Sequence, residues 1–344
     1  MEKQKMSLGS LLLLITGIIV GVAVILGLGL GLIIRDVDEE NRHDYVWAPE
    51  GTTSDPDPDS QTVEHEPKQP VSDDDGELHD GWNADCGYSR TDMQFSKNGT
   101  MRVDAYDMNA KVEFSVGYPV FKNAGEYTDA LNEAIEACAL DTVNSYYENP
   151  DEKAVELVKT VVENGALGVP EGVDLLLTSD VSYAVTYNTP DFVSISFSDN
   201  YCLGSLMGEF ISLRCINANL RTGQIYRQDE VFKMTEAIAN AFVDNLVQAA
   251  GSDENGDGVI TEEECFSVDI IGHEAWVQAL MGEGEYASRM NTTFFVDEKG
   301  RPNLGVTYFL GNDRGVSRGW WDVTLTDELL DGARLESDFW DLLQ

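Results

Sequence analysis

Asp253 to Glu264 reads Asp-Glu-Asn-Gly-Asp-Gly-Val-Ile-Thr-Glu-Glu-Glu, a run in which residue type and spacing together define a chemistry. Counted from Asp253, oxygen-bearing side chains fall at positions 1, 3 and 5 (Asp253, Asn255, Asp257), Gly258 at 6, Ile260 at 8 and Glu264 at 12. This is the spacing of an EF-hand calcium loop. Calcium takes about six to eight oxygens, so short side chains on alternate positions can converge on one centre. Gly258 permits the sharp turn, and Val259 offers its backbone carbonyl. Thr261 contributes a hydroxyl or a bridging water, and Glu264 is long enough to reach back with both oxygens. A merely solvated acidic loop has no reason to place Gly258 and Ile260 in register, so calcium is the expected cofactor.

The loop is single, and Asn245, Gln248 and Ser252 stand where a paired EF-hand carries apolar residues. Both facts favour a structural ion over a sensor that opens a hydrophobic groove. A weak site, with Kd of about 10⁻⁴ to 10⁻³ M, suits an extracellular module.

Other chemistries have less behind them. His43, His65 and His79 fall in or at the end of an acidic, apolar-poor segment, which leaves His273 in the globular part. It reads as a surface or core histidine rather than a general base, and nothing spells a Ser-His-Asp, Cys-His or zinc site. Paired carboxylates for glycoside hydrolysis stay open, because spacing along the chain does not give spacing in space. The expected answer is a binding protein rather than an enzyme. Trp320 and Trp321, with Tyr308, offer an aromatic platform for sugar rings, although strand alternation would send one tryptophan into the core. Cys86, Cys138, Cys202, Cys215 and Cys265 are odd in number, so at least one is free or pairs between chains. Cys202 and Cys215 flank one apparent hairpin and are the favoured pair.

The loop is positioned by a predicted helix over Met234 to Ala250 and another from Thr261 through Val268, with a third near His273 to Met281. Strands are predicted at Met101 to Tyr106, Lys111 to Tyr118 (stopped by Pro119), Leu175 to Tyr187, Phe192 to Phe197 and Phe210 to Leu220. Three more follow at Thr293 to Val296, Leu304 to Leu310 and Trp320 to Leu325. Three- and four-residue apolar spacing makes Glu126 to Tyr147 an amphipathic helix, and Ala154 to Glu163 a shorter one. The class is α+β, with antiparallel strands and segregated helices, preceded by one transmembrane helix and an acidic disordered stalk.

The chain is uncharged from Met6 to Ile34, longer than the roughly 20 residues that cross a bilayer. Lys3 and Lys5 precede this stretch and Asp36, Asp38, Glu39 and Glu40 follow it, which predicts a signal anchor with its N-terminus in the cytoplasm. The expected organisation is a cytoplasmic end (1–6), a membrane span (7–34) and an acidic stalk (35–80). An ectodomain follows in two halves (81–200 and 201–335), with a tail at 336–344. With 62 acidic against 22 basic residues and a net charge of -40, the chain would repel nucleic acid. The same charge suits divalent cations and basic protein partners. Gly17, Gly21, Gly27 and Gly31 give small-xxx-small spacings, a route to a dimer beside a free cysteine.

Val112 to Phe121 followed by Ala130 to Ile135 resembles the first half of a paired extracytoplasmic module. That module is found in lysozyme-sensing anti-sigma factors of Gram-positive bacteria and in some peptidoglycan deacetylases. Phe192 to Phe197, the turn near Gly204 and Gly208, Asn217 to Gly223, and Phe294 to Gly300 are similar to its second half. The resemblance implies a cell-membrane ectodomain that binds a cell-envelope glycan or a basic protein such as lysozyme. It departs at Leu203 to Gly208, which lacks the module's histidine, and at Phe309 to Gly315, so recognition by those segments is not carried over. The alternatives are an envelope-modifying hydrolase using acidic residues and a structural accessory subunit of a membrane complex.

Overall fold

The computed structural model describes residues 86–163, 169, 171–204, 210–252, 259–312 and 315–343. The expected span 7–34, the stalk 35–80 and the loop residues Asp253 to Gly258 lie outside them. No helix among the described residues is long and apolar enough to cross a membrane.

Ser89–Val103 (β1) and Met108–Lys122 (β2) form a long antiparallel hairpin. Its turn is a 3-10 segment, Asp104–Tyr106, closed by Asp107 at φ 54. The chain therefore turns inside the strand expected over Met101 to Tyr106, because an aspartate tolerates the left-handed region and Tyr106 is drawn into the core. Pro119 does not end β2. The next strand pairs with β2 only over Ala110 to Val116, so the missing N–H of Pro119 breaks no bond on that side.

The expected long helix is Thr128–Ala139 (α1), which buries Leu131 and Ile135 and breaks at Leu140 into two short turns. Glu152–Glu163 (α2) follows. Leu175–Asn188 (β3), Phe192–Leu203 (β4) and Phe210–Asn219 (β5) complete a five-stranded sheet in the order β1-β2-β3-β4-β5. The β2–β3 pairing is parallel, made by a crossover through α1 and α2, whereas the other pairings of this sheet are antiparallel. The class is α+β as expected, with that parallel step as a correction. The boundary expected at 200/201 falls inside β4.

Glu236–Ala250 (α3) is capped by the Thr235 hydroxyl. The expected helix from Thr261 to Val268 is two short pieces, Glu262–Glu264 and Phe266–Asp269, divided at Cys265, whose backbone is extended. His273–Leu280 (α4), Met290–Val296 (β6), Pro302–Asn312 (β7) and Gly315–Thr324 (β8) complete the fold, with the last three in one antiparallel sheet.

The two sheets pack face to face, with helices outside each. Alternation along β7 sends Leu304, Val306, Tyr308 and Leu310 into the core shared with α3 and α4. Gly305 faces the other way, and a Cβ there would lie 2.4 Å from Leu213 Cδ2, so this glycine permits the close approach of the sheets. β6 is an edge strand whose outward backbone groups need partners. The first sheet supplies them: Val296 N–H donates to Ser194 Oγ at 2.9 Å, and Asn217 Nδ2 donates to Phe294 O at 2.7 Å. Ser194 Oγ in turn donates to Asn217 Oδ1 at 2.8 Å, and both residues are buried.

Within the expected tail at 336–344, the described residues 336–343 pack against the core shared with α3 and α4. Phe339 is fully buried and meets Phe192, Tyr226 and Phe294 edge to face, while Tyr226 Oη donates to Asp338 at 2.9 Å.

Candidate functional site

Three of the six expected calcium ligands are described. Val259 is exposed, Thr261 caps the short helix that follows, and Glu264 Oε2 accepts from Thr261 N–H at 2.9 Å and from Thr261 Oγ1 at 3.1 Å. Asp253, Asn255 and Asp257 lie outside the described residues. The ends of the loop are joined: Ser252 N–H donates to Glu264 O at 3.2 Å, and Gln248 Nε2 to Ile260 O at 3.3 Å. Ile260 packs against the second core, where its Cγ2 closes on Gly251. That is a use for the apolar residue at position 8. His273 braces the same corner, with Nδ1 3.0 Å from Glu262 Oε1 and Nε2 2.9 Å from Asn240 Oδ1. It ties α4 to α3 and to the end of the loop, and both ring nitrogens are occupied.

The three aromatics expected to form one platform are divided. Neighbouring strand residues face opposite ways, so Trp320 Nε1 donates to Ser198 Oγ in the first sheet at 3.1 Å. Trp321 Nε1 donates to Asn245 Oδ1 on α3 at 2.8 Å. Tyr308 is buried against Trp276, with ring centroids 5.0 Å apart.

Cys138, Cys215 and Cys265 offer no activated nucleophile. Burial pushes the Cys138 thiol up to about 11 and raises those of Cys215 and Cys265, which keeps them protonated at neutral pH. The favoured Cys202–Cys215 pair is excluded by register. Cys215 lies opposite Ser196, six residues along β4 from Cys202, or roughly 20 Å at about 3.3 Å per residue, beyond disulfide reach.

The strongest charged constellation was not legible in the sequence. Asp199 is fully buried on β4 and accepts from Thr142 Oγ1 at 2.6 Å, Ser179 Oγ at 2.9 Å and Arg214 Nη1 at 3.0 Å. Arg214 also donates from Nε to Cys138 O at 2.9 Å and from Nη2 to Ala139 O at 3.3 Å. Those are carbonyls of the last turn of α1, where a cation is favoured. With its donors and acceptors engaged, the pair clamps α1 to the sheet rather than moving protons. Arg214 in turn lines a hollow of about 380 Å³.

That hollow shares Tyr146, Leu157 and Tyr201 with a groove of about 480 Å³, where β4 ends and β5 begins, beside β7 and the start of β6. Tyr201 and Phe210 stack with centroids 5.2 Å apart, and Phe210 continues to Phe309 at 5.3 Å. Burial raises the Tyr201 phenol to about 12, so it stays neutral. The signal available in the sequence was the aromatic pair Tyr201 and Phe210, which face each other across β4 and β5.

The described residues thus define an α+β fold of two packed sheets. No protein-family model matches the chain, and no curated protein matches it. Among solved structures it is similar to a member of the DUF3298 family from Bacteroides fragilis, 12% identical, with a TM-score of 0.39, covering 74% of this chain and 98% of that one. It is also similar to a DUF3298 family protein from Pseudomonas aeruginosa, 12% identical, with a TM-score of 0.31, covering 72% and 95%. DUF3298 is a domain of unknown function.

Proposed function

We propose that this chain is a membrane-anchored extracellular binding module whose 253–264 loop holds one structural calcium ion. The observation that carries this reading is the neck of the loop: Ser252 N–H is bonded to Glu264 O, so the residue before position 1 lies against position 12. Asp253, Asn255, Asp257, Val259, Thr261 and Glu264 would hold the ion, and its charge would offset the repulsion among these acidic groups. The anchor is the 7–34 stretch. The ligand is a basic extracellular protein such as lysozyme, or a cell-wall glycan. The net charge of -40 favours the protein, because it speeds encounter with a cationic partner.

Calorimetry of the full chain in lipid nanodiscs tests both parts. Calcium is expected to bind once, with Kd of about 10⁻⁴ to 10⁻³ M, and Glu264→Gln is expected to abolish that binding. Lysozyme is expected to bind more weakly as salt rises. No calcium heat removes the metal reading, and salt-independent or absent lysozyme binding removes the basic-protein reading. Turnover of peptidoglycan would make the chain an enzyme instead.

A further inference from the structure

We propose that the 480 Å³ groove is a binding site for a small ligand with a flat apolar body and one carboxylate or phosphate group. Its volume lies within the range of small-molecule sites, about 300 to 1,000 Å³. The wall is a continuous aromatic row, Tyr201, Phe210 and Phe309, against which a ring can lie. Leu157 and Ile211, 40% and 39% exposed, leave the mouth apolar.

The charge of the groove decides the ligand's sign. The chain carries 62 acidic residues against 22 basic, yet the charged residues that line this groove among the described ones are Arg289 and Arg318. Arg289 is exposed and, among the described residues, has no carboxylate within ion-pair distance; its guanidinium lies 5.7 Å from the Tyr286 ring centroid. Arg318 reaches the same groove from β8. A guanidinium offers a planar pair of donors that matches a carboxylate or a phosphate. Because the whole chain is strongly negative, selection of an anion here has to come from these local donors. The inference stands on the groove alone and does not depend on calcium.

The test is calorimetric titration of the full chain in nanodiscs with four probes sharing one ring system: 2-naphthoate, 2-naphthyl phosphate, neutral 2-naphthol and cationic 2-naphthylmethylammonium. Either anion is expected to bind about tenfold or more tightly than the neutral and cationic probes, and the tighter of the two anions identifies the group recognised. Arg289→Gln, at an exposed position, is expected to reduce the preference for the anion while leaving the melting temperature unchanged, and Arg318→Gln is expected to reduce the preference as well. Equal affinity for all four probes, a preference for the cation, no binding at millimolar concentrations, or anion binding indifferent to both substitutions would each overturn the proposal.

Discussion

Carboxylates are handled in opposite ways at two places in this molecule. At Asp199 a fully buried carboxylate is surrounded by donors from the protein itself: Thr142 after α1, Ser179 on β3 and Arg214 on β5. Along 253–264 the sequence places a run of acidic residues between α3 and the next helical turn, and the described part supplies a neck and a cap. The first site is complete without any ligand. The second concentrates acidic residues along the sequence, which is the condition a divalent cation relieves. Acidity alone therefore says little about metal binding, because what matters is whether the chain provides its own counter-donors.

The largest effect should come from breaking the closed site. Arg214→Ala leaves a buried carboxylate unpaired and uncaps α1, and is expected to cost about 3 to 5 kcal/mol in denaturant unfolding, with or without calcium. Asn217→Ala removes the amide that bridges the sheets and strands Phe294 O, with an expected cost of about 1 to 3 kcal/mol. In the open site, calcium at tenfold over its Kd should add about 1.4 kcal/mol, a gain that chelation or Glu264→Gln removes.

The smallest effect is opposite in sign. Asp322 is partly buried between the sheets, and its side chain has no hydrogen-bond partner among the described residues. Burial raises its carboxyl above the usual range. The folded state then holds the proton more tightly than the unfolded one, so the contribution of Asp322 to stability is greatest below the ordinary carboxylate pKa of about 3.9 and is lost as pH rises through the raised value. Asp322→Asn is expected to raise the melting temperature slightly at pH 7, with the gain shrinking toward pH 3. Unchanged or lower melting at pH 7 would contradict this reading.

The same division explains what the sequence could reveal. The 253–264 loop forms a pattern in the sequence because its oxygen-bearing residues lie within twelve positions and their spacing is itself the signal, and whether it holds calcium is for the melts below to decide. Most strands were legible through alternation, and α1 and α3 through their three- and four-residue spacing. Asp199, Thr142, Ser179 and Arg214 come from four separate segments, and each alone is an ordinary polar residue. The groove is hidden for the same reason, since Phe309 and Arg289 reach Phe210 only when the sheets pack. Asn217 to Gly223, quoted above for its resemblance to a known module, has a structural use. Asn217 bridges the sheets, Asn219 Oδ1 accepts from Arg221 N–H at 2.9 Å to shape the turn, and Gly223, at φ 73, lies where a Cβ would come within 2.7 Å of the Tyr127 ring.

The most direct test of the difference between the two sites is a set of thermal melts of the full chain and of the Arg214→Ala and Glu264→Gln variants, each in calcium and in chelator. Calcium is expected to raise the melting temperature of the full chain and of Arg214→Ala by similar amounts, and to leave Glu264→Gln unmoved. If calcium leaves the full chain unmoved, or stabilises Glu264→Gln equally, the 253–264 loop is not a calcium site and the central claim is wrong.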